Sequence, residues 1–133
     1  MKEDGCPMHE LNAKITKTSL GPEDHGIFTA YIWLDYGGSG QGFGGWSFDG
    51  PAPKATDYTD YHRVGSVFGM QFIMDLMTTL DVRRWEDLPG THCRIRQDKP
   101  FGLAKQIGHI LKDQWFDPKA LADKLHGESH DGD

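Results

Sequence analysis

The chain has 133 residues, which suits one domain with a single core. Its 37% apolar and 26% charged residues are ordinary for a soluble globular protein. The formal charge of −6 argues against broad binding to duplex nucleic acid, which calls for a basic face, but leaves room for a small phosphorylated ligand held by a local cluster of Arg or Lys.

Cys6 and Cys93 are the only cysteines, and they lie far apart. The N-terminus has no apolar signal region, so the pair points to a reducing, intracellular setting. No stretch approaches the roughly 18 apolar residues of a membrane helix, and the protein reads as cytoplasmic with no membrane partner. One domain over 1–133 is expected, with 1–9 and 127–133 as flexible ends. Cys6 and His9 have metal-ligand spacing, but no second pair completes a four-ligand site, so no metal is expected.

Glu10 to Leu20 alternates Leu11, Ala13 and Ile15 with Asn12, Lys14 and Thr16, the period of a strand. Residues 21–26 have turn composition. Ile27 to Tyr36 is rich in β-formers and predicts the second strand of an antiparallel hairpin. In the glycine-rich run that follows, Gly40, Gly42 and Gly45 fit G-x-G-x-x-G. A dinucleotide fingerprint must open a helix, however, and here Trp46-Ser-Phe-Asp leads to Gly50-Pro51. A hairpin connection into a third strand, Gln41 to Phe48, explains the glycines better, and they also permit close approach of a ligand or a neighbouring subunit. Pro51 to His62 reads as a polar linker.

Ser66 to Leu80 predicts the central helix. Phe68, Phe72 and Leu76 fall on one i, i+4 row, with Ile73, Met77 and Leu80 on the next, a face broad enough for a sheet to pack on. Arg63 stands just ahead of it, where a cation disfavours the helix by a few tenths of a kcal/mol. That placement suits an anion shared with the first-turn amides, or a solvated surface residue. Trp85 to Gly90 closes the unit with a polar turn.

His92 to Arg96 predicts a fourth strand, with Arg94 and Arg96 on one face as a solvated edge or an anion clamp, and Cys93 and Ile95 on the other. Leu103 to Trp115 fits helix or strand. Asp117-Pro118 is a helix start, and Lys119 to Leu125 completes a short helix. The expected class is therefore α+β: a small antiparallel sheet packed by one long central helix, with a short C-terminal helix. No nucleophile elbow, P-loop or H-E-x-x-H occurs and no acid–base pair stands out, which favours a binder over an enzyme and calls for no cofactor.

Three elements in combination carry a resemblance: G-Q-G-F-G-G after two strands, R-x-G-x-x-x-G-M-x-F-I starting at Arg63, and W-E-D-L-P-G starting at Trp85. The pattern, spread over roughly Leu11 to Phe116, resembles the phage Thoeris anti-defence sponge family, in particular its first type. The resemblance implies a phage protein that sequesters cyclic ADP-ribose-type immune signals without cleaving them, with cyclic oligonucleotides as a second ligand class. It also implies a homo-oligomer with pockets between subunits. By motif, Arg63 would meet the ligand pyrophosphate. Phe101 is a candidate for stacking on adenine or a core aromatic, and His109 for a polar contact where the family is expected to carry an amide. Arg94 and Arg96 are added by chemistry alone. The alternative is a small phage interaction or assembly factor that docks through its glycine-rich hairpin and Trp33, Trp46 and Trp85, with no small-molecule ligand.

Overall fold

The computed structural model describes residues 9–24, 26–51, 63–99 and 102–131. The alternation around Ala13 and Ile15 yields β1 (His9–Asp24), in which those two side chains are buried and Leu11 remains partly exposed at the end of the inward row. β1 outruns the expected segment. Its pairing with β2 (Ile27–Asp35) continues past Gly21, across a register shift, to Asp24 opposite Ile27, so only the tip of the 21–26 segment turns. Along β2, Ala30, Ile32 and Leu34 point into the core while Trp33 and Asp35 face out.

β3 (Gly40–Gly44) pairs antiparallel with β2. It was expected to reach Phe48, but the ladder ends where Gly44 and Gly45 adopt φ of 151° and 93°. The chain still follows β2, since Phe48 N–H donates to Phe28 O at 2.7 Å. β4 (Asp49–Pro51) then pairs with β5 (Arg63–Gly65) as a separate two-stranded ribbon. The linker expected between them lies outside the described residues from 52 to 62.

The ribbon delivers the chain into α1 (Val67–Leu80), capped by Ser66, whose hydroxyl accepts from Gly69 N–H at 2.9 Å and donates to Phe48 O at 3.0 Å. α1 ends on Asp81 in the left-handed conformation, whose N–H returns to the last turn. Its predicted face is buried at Phe72, Leu76 and Leu80, with Phe68 and Ile73 packed against the core. Phe72 is the hub, with ring centroids 4.9 Å from Phe48 and from Phe116, 5.6 Å from Trp46 and 6.0 Å from Phe68.

After the turn at Trp85–Asp87 come β6 (His92–Gln97), β7 (Ala104–His109) and β8 (Trp115–Phe116). The ambiguous 103–116 segment is thus two strands. His109 N–H bonds Gln114 O at 3.0 Å across a tight loop, which places Gly108 opposite Trp115. Asp117 caps α2 (Pro118–Asp131) as expected, its Oδ1 accepting from Lys119 and Ala120 N–H at 3.0 and 3.2 Å. The helix continues beyond Leu125 to Asp131. The strand order β3-β2-β1-β6-β7-β8 is antiparallel throughout. With two helices beside it, the class is α+β.

The sheet curls until β3 meets the start of β7. There the Gln41 amide accepts from Ala104 N–H at 2.8 Å and donates to Gly102 O at 3.1 Å.

Candidate functional site

Two concavities stand at the ends of the glycine-rich segment. The first, about 340 Å³, opens at the N-terminus of α1 and is lined by Phe28, Phe48, Arg63, Gly65, Gly69 and Met70 among others. All four specified positions of R-x-G-x-x-x-G-M, namely Arg63, Gly65, Gly69 and Met70, therefore border one pocket. Gly69 is required there by packing, since a Cβ would lie 2.8 Å from Phe48 Cα. Its absence lets the 45–48 segment close on the helix and form the pocket wall.

Arg63 grips Asp49 with two hydrogen bonds, Nε to Oδ2 at 2.8 Å and Nη2 to Oδ1 at 2.7 Å. The Asp49 side chain is 4% exposed and that of Arg63 34%, and both residues line the pocket. The Arg63 hydrogen bond, with help from Phe28 N–H and Ser47, holds the Asp49 carboxyl below its ordinary value of 3.8. Arg63 is thus a positioned cation rather than a loose surface residue, and its partner fixes its fork.

The second group lies at the far end of α1. Arg94 and Arg96 clasp Trp115, with guanidinium carbons 4.8 and 3.7 Å from its ring, and both reach Glu10. Arg94 also donates to His109 O and Lys112 O at 2.8 Å each, and Arg96 to Gln106 at 3.1 Å. Of the two readings open for these arginines, a solvated edge or an anion clamp, the fold shows neither in simple form: both are engaged by tryptophan, glutamate and side-chain or backbone oxygens. His109 Nδ1 accepts from Leu111 and Lys112 N–H at 3.0 Å each, leaving Nε2 3.6 Å from Asp81. Lys112 also bonds Asp81, and that bond, with the charge behind it, lowers the Asp81 carboxyl below its usual range.

Arg94, Arg96 and His109 therefore come together and Arg63 does not join them. Arg63 precedes the first turn of α1, whereas His109 faces the residue that caps its last. The 14 residues between span about 21 Å at 1.5 Å each, more than one small ligand bridges within a single chain. Phe101 lies outside the described residues. Sequence reasoning missed Asp49, Glu10, Trp115 and Asp81, because each partner is remote in the chain and only the fold brings it near.

The second concavity, about 600 Å³, lies between β3, the start of β7 and α2, with Gln41, Gly42, Phe43 and Gly44 of G-Q-G-F-G along one wall. The space over Gly42 is taken by Trp33, whose ring would meet a Cβ at 2.8 Å. This glycine therefore accommodates the protein's own tryptophan, and no helix follows to hold a dinucleotide. Burial pushes the Cys93 thiol up to about 12, so this cysteine is not an activated nucleophile. Among the described residues no cluster of His, Cys, Asp and Glu is arranged to hold a metal ion, and no helix is long and apolar enough to cross a membrane. No family model, characterised protein or solved structure matches this chain.

Proposed function

We propose that this protein binds and sequesters a cyclic nucleotide signal of the cyclic ADP-ribose type, releasing it unchanged, as a phage-encoded anti-defence sponge inside the host cell. Cyclic oligonucleotides are the second ligand class. The observation that carries the reading is the convergence of the R-x-G-x-x-x-G-M positions on one pocket, with Arg63 held in a fixed fork beside an apolar wall. A ligand of the cyclic ADP-ribose type offers that combination its complement, a pyrophosphate for the guanidinium and a base for Phe28, Phe48 and Met70.

The separation of Arg63 from Arg94, Arg96 and His109 supports a homo-oligomeric arrangement, in which a pocket is completed by the far end of α1 from a second copy. Retention of intact ligand by wild-type protein, and its loss in Arg63→Ala, is the expected result of filtration followed by heat release and chromatography. A ligand converted to a linear product would instead indicate an enzyme.

A second reading rests on Val67, Met70 and Met74, which are 70%, 61% and 53% exposed on one face of α1. Such a stripe suits an interaction or assembly factor. Trp46 and Trp85 do not add to that surface, since both pack against the core. Under this reading every small ligand flows through, and the stripe becomes buried with a protein partner.

A further inference from the structure

We propose that the loop between β7 and β8 is a proton-sensitive latch, closed by the neutral imidazole of His109 and released when that ring takes up a proton. His109 Nδ1 accepts from two backbone donors at once, Leu111 N–H and Lys112 N–H, each at 3.0 Å. A ring nitrogen accepts only through its lone pair, so these two bonds require Nδ1 without a proton. The single ring proton then belongs on Nε2, 3.6 Å from the Asp81 carboxylate at the end of α1. A second proton would set Nδ1–H against two N–H groups, while Asp81 still attracts the Nε2 side. Protonation therefore frees the turn and leaves the ring in place.

The charged groups around the ring are consistent with such a switch. Asp81 faces it from α1 and also bonds Lys112 of the loop, so a charged imidazole competes with Lys112 for one carboxylate. Asp113 of the loop is turned away, its Oδ1 accepting from Trp115 Nε1 at 3.2 Å. From β6, Arg94 donates to His109 O, and the buried Cys93 thiol lies opposite His109 in the ladder. Imidazoles as a class change charge near neutral pH. The lowered Asp81 carboxyl stays ionised there, so the loop senses the imidazole alone. The sign is fixed: the latch is closed at the alkaline end and opens as pH falls. Its release has a further consequence, because Lys112 O holds Arg94 Nη2 at 2.8 Å. Opening the loop frees that part of the guanidinium for an external anion. These contacts lie within one chain, and the latch does not depend on the sequestration reading.

The test is nuclear magnetic resonance of the whole chain between pH 8 and pH 5, following the imidazole nitrogens and the backbone amides. At pH 8 the His109 ring should carry its proton on Nε2. The Leu111 and Lys112 amide signals should shift with the same midpoint as the ring and lose their protection from exchange. In His109→Asn the side-chain Oδ1 can accept from the same two amides without titrating, as in an Asx turn. Both amides should then stay fixed over the whole range, while signals elsewhere in the sheet show that the variant folds. A proton on Nδ1 at pH 8, or Leu111 and Lys112 amides that ignore the ring titration, would overturn the proposal. So would the same pH response in His109→Asn.

Discussion

Arg63 shows what one residue contributes. Its place ahead of the helix left it either an anion site or a solvated surface residue, and the fold gives it Asp49, a nearly buried carboxylate. Removing the guanidinium leaves that carboxylate without its main partner, so Arg63→Ala should lower the melting temperature as well as abolish ligand retention. Asp49→Asn in the Arg63→Ala background should recover part of the stability without recovering binding, which separates the two roles. The pH dependence has a definite sign. Asp49 and Asp81 both have lowered folded values, so their contribution is complete above the ordinary carboxylate value and is lost as pH falls through the lowered ones. Denaturant titrations should show stability falling below about pH 4, less steeply in Asp49→Asn. Gln97 behaves differently. Its side chain donates to Gly102 O at 2.8 Å, but among the described residues its buried Oε1 has no hydrogen-bond partner. Gln97→Met removes that acceptor while Gln41 still serves Gly102. The net effect should be small, within about 1 kcal/mol of wild type by equilibrium unfolding.

The elements differed in how much of themselves the sequence revealed. β1 and α1 were legible because one periodicity ran long enough in each, two residues for Ala13 and Ile15, and close to four for Phe72, Leu76 and Leu80, while β2 was legible from its run of β-formers. The 103–116 segment was not, since Ile107 and Phe116 suit either period and the deciding contact, Gly108 opposite Trp115, forms only when the chain reverses. Likewise the end of β3 was set by backbone angles at Gly44 and Gly45 rather than by side-chain pattern. The helix cap at Ser66, which the sequence reading placed inside the helix, can be tested. Ser66→Ala removes the acceptor for Gly69 N–H and should cost about 1 kcal/mol in chemical denaturation. Gly69→Ala should cost about 1–3 kcal/mol, because the added methyl meets Phe48 backbone rather than a movable side-chain tip.

For the molecule as a whole, the site is harder to read than the fold. Secondary structure is a local property, whereas Arg96 finds Glu10 across 86 positions and Arg63 finds Asp49 across 14. Chemistry alone left Arg94 and Arg96 as a solvated edge or an anion clamp, and only tertiary packing reveals that both lie over Trp115. One core, centred on Phe72, fixes α1 over the sheet and so sets the distance between the Arg63 pocket and the His109 loop. Phe72→Ala, at a fully buried position, should cost about 3–5 kcal/mol in equilibrium unfolding and disturb both ends together. Under the proposed function, a ligand that contacted both ends would have to draw them from two copies.

The central claim is that the ligand is held and not changed. Purified protein should be incubated with a panel of cyclic ADP-ribose isomers and cyclic oligonucleotides, filtered, heated and chromatographed. The expected result is stoichiometric recovery of one cyclic ADP-ribose isomer, intact, from the retained fraction of the wild type and none from Arg63→Ala. Passage of every compound through the filter, or recovery of a cleaved product, would contradict it.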